Sequence, residues 1–117
     1  MSRSSARAFP LLFAGLLWHT ACNRAPRSDE QRAEGLYLRT CAGCHGPYGR
    51  GPARLGFDPP PAALADPGLQ RRLDDAELAR IIREGKGQMP GFGRLLSEEE
   101  VQALVQHLRR LPLLRQP

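Results

Sequence analysis

The sequence predicts a small all-α domain built on three main helices, and three observations predict it. Three separate segments carry apolar residues at spacings of three and four, the period of one helix face, and each opens on a polar residue able to cap it. The stretches between them are dense in Gly and Pro, which excludes regular strands. The first helical segment ends in Cys41-Ala42-Gly43-Cys44-His45. A Cys-x-x-Cys-His run is the attachment signature for c-type haem, in which two thiols form thioethers and the adjacent imidazole becomes an iron ligand. The spacing has a mechanical reason. In the last turn of a helix, positions three and four apart share a face, so Cys41, Cys44 and His45 meet one porphyrin plane. The fold expected is therefore three helices wrapped around one covalently held haem c.

Cys-x-x-Cys is also half of a zinc site, a redox dithiol or a chance surface pair. Zinc needs two more soft ligands, and only Cys22, His19 and His107 remain, the first two at the end of an export leader. At 117 residues, with aromatics at 6%, the chain has a thin core of its own, and a covalent haem would serve as apolar filler. The formal charge of +5 comes almost wholly from arginine, Lys86 being the single lysine. Those arginines are scattered and not interleaved with aromatics in a stripe, which argues against nucleic acid as a partner.

The leader, residues 1–21, has a basic start through Arg7, an apolar run from Ala8 to Trp18, and small Thr20 and Ala21 before Cys22, the layout of a secretory signal. Eleven helical residues reach about 16 Å, short of a bilayer core of roughly 30 Å, so the run is not a span. Cys22 resembles the lipidated first residue of a mature bacterial lipoprotein, although His19 stands where such signals carry an aliphatic residue. The alternative is an ordinary cleaved signal with a spare thiol. Residues 22–29 are polar and form a lipid-anchored tether in the first reading.

The domain proper is expected over residues 30–112. Ser28 or Asp29 caps a helix over Glu30–Thr40 with Ala33, Leu36, Tyr37 and Thr40 on one face. Beyond His45 the segment running through Gly46, Gly49, Gly51 and Pro59-Pro60-Pro61 is read as a loop wrapping the haem edge. Asp74 and Glu77 form a capping box for a helix with Leu78, Ile81 and Ile82 inward, stopped by Gly85. The glycine-rich loop that follows carries Met89, which is either core filler or a thioether able to complete an octahedral iron. Ser97 and Glu100 make a second capping box for a helix with the stripe Val101, Leu104, Val105, Leu108 and Leu111, and Pro112 ends it. Residues 113–117 form a tail.

Taken together, these pieces resemble a class I monohaem cytochrome c over about Ala33 to Leu111. The resemblance rests on Leu36-Tyr37, Cys41 to Gly46, Pro61-Ala62-Ala63-Leu64, and Ile82 through Gly85-Lys86-Gly87 to Met89-Pro90 and Phe92. It implies His45 as proximal ligand, Met89 as distal ligand, and a proline carbonyl, that of Pro60 or Pro61, which accepts the other imidazole proton. Two positions depart from the family pattern: Ala33 where it often has Gly at the crossing of first and last helices, and His107 where it has an aromatic. His107 is read as a packed or surface substitute and not as a ligand. Because the family acquires its haem outside the cytoplasm, the export leader and the haem motif support each other.

The function implied is one-electron transfer between redox protein partners in the periplasm, with membrane attachment through Cys22 and no small-molecule substrate or catalysis. Arg50, Arg54, Lys86 and Arg94 flank the segments expected at the haem edge and would steer the protein to acidic docking faces. Two rivals are a haem-based sensor, with Met89 displaced or off the iron, and an accessory haem subunit of a larger oxidoreductase.

Overall fold

Helix α1, Ser28–Thr40, begins two residues earlier than its apolar face requires, because Ser28 and Asp29 are themselves helical. Asp29 and Glu30 in its first turn complement the helix dipole, and Ala33, Leu36 and Tyr37 are buried. In the computed structural model, residues 28–51 and 56–115 are described. The leader, Cys22, most of the tether, Arg54 and the last two residues of the tail lie outside the described residues. Ser28 and Asp29, expected as tether, instead extend the first helix.

At Cys41 the helix breaks, and the haem motif occupies its own single turn, α2, Ala42–His45. The expectation that the motif forms the last turn of α1 is therefore corrected. The Thr40 hydroxyl donates to Leu36 O at 2.7 Å, a side-chain bond to the carbonyl four residues back that bends helices, and the bend falls at the next residue. The joint stays tight, since Cys41 N donates to Tyr37 O at 2.8 Å.

One element goes beyond the sequence expectation: α3, Pro67–Arg72, capped by Asp66, whose carboxylate accepts from Leu69 N at 2.7 Å. Its signal was present, an Asp at the cap followed by Pro at the first helical position. With one turn and a half and no buried residue, it has no apolar face for periodicity to detect.

Helix α4, Asp75–Glu84, buries Leu78, Ala79 and Ile82, and leaves Ile81 half-buried. Its capping box is half formed. Asp74 accepts from Glu77 N at 2.8 Å, but the Glu77 carboxylate turns to Arg80, 2.7 Å away, and so does not return to the cap. Gly85 ends the helix at φ +82°. The glycine-rich loop beyond it then folds into a two-stranded antiparallel hairpin, β1 Gly85–Lys86 and β2 Met89–Pro90, pairing Gly85 with Pro90 and Lys86 with Met89.

Helix α5, Glu98–Arg110, carries the full reciprocal capping box between Ser97 and Glu100. Val101, Leu104, Val105 and Leu108 are buried, and Leu111 continues the stripe into a short 3-10 turn, Leu111–Leu113, that holds Pro112. The most extensive helix packing is α1 against α5, followed by α4 against α5. The core joining them is aliphatic apart from Tyr37. Arg109 ties the last helix to the α3–α4 junction, donating to Asp75 Oδ1, Gln70 O and Leu73 O, each at 2.7 Å. Among the described residues, no helix is long and apolar enough to cross a membrane.

Candidate haem-binding site

Three candidate site residues are brought together by the turn of α2. Cys44 N and His45 N both donate to Cys41 O, at 3.1 and 3.0 Å, which closes the motif on itself. Both cysteines are free thiols, partly exposed, and so open to covalent attachment. Thr40 Oγ1, which donates to Leu36 O, also lies 3.3 Å from Cys41 Sγ. Burial pushes the Cys41 thiol above its ordinary value, with the Thr40 contact pulling against it and Cys44 adding to the rise. It is therefore a protonated thiol at neutral pH.

His45 is 8% exposed, and its Nδ1 lies 2.9 Å from Ala62 O. A carbonyl can only accept, so Nδ1 carries the proton and the lone pair resides on Nε2. This corrects the expected acceptor, Pro60 or Pro61, by one or two residues. The reason is register. Ala65 N donates to Gly49 O at 2.8 Å, laying the 62–65 segment beside the 45–49 turn, so Ala62 is the residue that falls opposite His45. Pro60 is exposed and Pro61 half-buried on the approach to it.

The turn after the motif is held from α1. Tyr37, 0% exposed, donates its hydroxyl to Gly46 O at 2.7 Å. Sequence reasoning placed Tyr37 on the core face and missed this bond, because the acceptor is a backbone atom nine residues on. Gly49 is required next to it: a Cβ there would lie 2.6 Å from Leu111 Cδ1 and 3.2 Å from Leu64 Cβ, at φ +63°.

Met89 is half-buried on β2, away from the α2 turn in sequence and on its own hairpin. His107 is 4% exposed and packs against Tyr37, ring centroids 4.9 Å apart and the planes tilted by 40°, so it is a packed substitute at the α1–α5 crossing. Lys86 and Arg94 are exposed. Arg50 is exposed too, but its guanidinium donates to Leu114 O at 3.0 Å and fastens the C-terminal segment. Among the described residues, no group of three or more His, Cys, Asp and Glu side chains gathers as a metal cluster.

The protein-family model for "Cytochrome C oxidase, cbb3-type, subunit III" matches residues 28–108. The chain belongs to this family. The cytochrome is also similar to a solved structure, the KustC0563 c-type cytochrome, at 35% identity and a TM-score of 0.62, covering 68% of this chain and 95% of that one. No curated protein matches the sequence. The fold is that of a small class I cytochrome c, as expected, and the cofactor of the family is covalently attached haem c. Cys41, Cys44 and His45 fit its Cys-x-x-Cys-His motif, and the geometry suits that group: two free thiols on one turn and a buried imidazole whose Nε2 is left as the lone-pair nitrogen.

Proposed function

We propose that this cytochrome is a one-electron carrier, exported and held at the membrane through lipidated Cys22, which passes electrons between respiratory redox partners. The observation that carries the reading is the Nδ1–H of His45 donated to Ala62 O, because it fixes the tautomer and the ring plane with the metal-binding nitrogen free. Haem iron, when bound, supplies a centre that gains and loses one electron. Cys41 and Cys44 would hold the porphyrin covalently, and His45 and Met89 would supply the two protein ligands to its iron. The carbonyl of Ala62 would hold the imidazole ring in one orientation and tautomer, and the soft thioether of Met89 would favour the reduced state. Tyr37, by holding Gly46, keeps the turn that bears His45 from shifting between oxidation states.

The exposed cations Lys86 and Arg94 support a partner with an acidic docking face. On this reading the rate of electron exchange with that partner falls as salt is raised. A rate indifferent to salt sinks it.

The direct test joins a pyridine haemochrome spectrum with mass spectrometry of the mature protein. One covalent haem and a lipidated Cys22 are expected. A colourless protein overturns the carrier reading, and haem with an unmodified Cys22 overturns the anchor alone. Carbon monoxide added to the reduced protein separates a carrier from a sensor: a thioether-ligated carrier shows no immediate spectral change on mixing, whereas a sensor with an open iron position shifts at once.

The family description favours a second reading, a haem-bearing subunit of a larger oxidoreductase. Co-purification with a terminal oxidase from detergent-solubilised membranes supports it. Recovery as a free monomer counts against it.

A further inference from the structure

The hairpin that bears Met89 is held firmly at its base and by one side chain at its tip. At the base, Gly85 N donates to Ile81 O, Phe92 N to Ile82 O at 2.8 Å, and Gly93 N to Arg83 O at 3.0 Å, so both ends are pinned to the last turn of α4. At the tip, Lys86, Gly87 and Gln88 are all exposed. An arm anchored only at its base pivots there, and Met89 would pivot with it.

The tip is caught by Gln88, whose Nε2 donates to the backbone carbonyl of Asp58, thirty residues away. Asp58 lies in the same loop that delivers Ala62 O to His45. One loop therefore braces both sides of the site: Ala62 grips the His45 ring, and Asp58 grips the neighbour of Met89. Among the described residues, no other hydrogen bond joins the hairpin to this loop.

We infer that Gln88 is a positioning residue, which through Asp58 fastens the Met89 hairpin to the His45-bracing loop and so sets how long the Met89 thioether stays in place. The inference rests on Met89 being the distal ligand. The receiving atom is a carbonyl, so what matters is a donor at residue 88, not its shape or its charge. Gln88→Ala and the shape-matched Gln88→Glu both lose the bond. Gln88→Lys keeps a donor of similar reach.

The test is the rate at which carbon monoxide binds the reduced holoprotein, together with the charge-transfer absorption of the thioether–ferric iron bond. An exposed neutral hydrogen bond of ordinary strength corresponds to a rate increase of roughly threefold to tenfold in Gln88→Ala. Gln88→Glu follows it, Gln88→Lys returns towards the parent, and the thioether band weakens in step. Parent-like rates in both Gln88→Ala and Gln88→Glu, with Met89→Ala fast, overturn the inference while leaving Met89 as ligand. If Met89→Ala is no faster than the parent, the ligand assignment itself is wrong and the inference goes with it.

Discussion

Two buried polar side chains at the α1–α5 crossing, Tyr37 and His107, do different work although their rings are in contact. Burial pushes the Tyr37 phenol far above physiological pH, so its hydroxyl is a constant donor to Gly46 O. That carbonyl also accepts from Gly49 N at 3.1 Å and keeps one partner when the hydroxyl is removed. Tyr37→Phe is therefore expected to cost only about 1 kcal/mol, read as a lowered guanidinium midpoint with unchanged slope. His107 is different because its Nε2 is buried and, among the described residues, has no hydrogen-bond partner. Burial, helped by the Arg110 cation and opposed by Glu34, pulls its pKa below the ordinary 6.5. The unfolded chain then takes up the proton first as pH falls. Stability contributed by neutral His107 is complete above 6.5 and declines as pH drops below that value towards the folded pKa. Unfolding midpoints of parent and His107→Phe, compared between about pH 7.5 and pH 5, should diverge, with the variant losing less. Parallel curves would remove His107 as the source of acid sensitivity.

The elements show how far local chemistry reaches. Ser97 and Glu100 announce α5 from sequence, and the reciprocal cap forms as expected, Glu100 N donating to Ser97 Oγ at 3.2 Å and Ser97 N to Glu100 Oε2 at 2.9 Å. Glu77 stands in the same relation to Asp74, yet Arg80, three residues on, takes its carboxylate. The hairpin lies where the sequence predicts only a glycine-rich loop, since two-residue strands leave no alternation to see. Its shape depends on Gly85. There φ is +82°, and a Cβ would sit 2.5 Å from Met89 O and 2.7 Å from Gly91 N. Gly85→Ala is expected to cost more than about 1 kcal/mol and to displace Met89, seen as a weakened thioether–iron band in the ferric protein. A stable variant with an intact band would show that the hairpin tolerates another path.

For the molecule as a whole, the core is a layer of aliphatic side chains from α1, α4 and α5 with Cys41 and Ala42 packed at its margin. Such a core is small for the chain it must order, so holding haem contributes to folding as well as to electron transfer. A Cys41→Ser/Cys44→Ser chain made without haem is expected to lose much of its helical circular dichroism at room temperature. Native helicity in that chain would mean the polypeptide folds alone. Much of the architecture was legible in order: the inward faces of α1, α4 and α5, the stop at Gly85 and the haem motif all follow from spacing and from backbone preferences, which are properties of neighbouring residues. The contacts that tune the site were not legible in this way. Ala62 grips His45 through a backbone carbonyl, which every residue possesses, so only the pairing of Ala65 with Gly49 selects it. The Tyr37 bond to Gly46, the Gln88 bond to Asp58 and the reach of Arg109 to the α3–α4 junction likewise join residues whose proximity arises only once the helices have packed. The sequence by itself determined which chemistry is present and on which helices it rides, because side-chain type and period are local. Tertiary packing decided which carbonyls and amides brace that chemistry, because identical backbone groups are distinguished only by where the fold puts them.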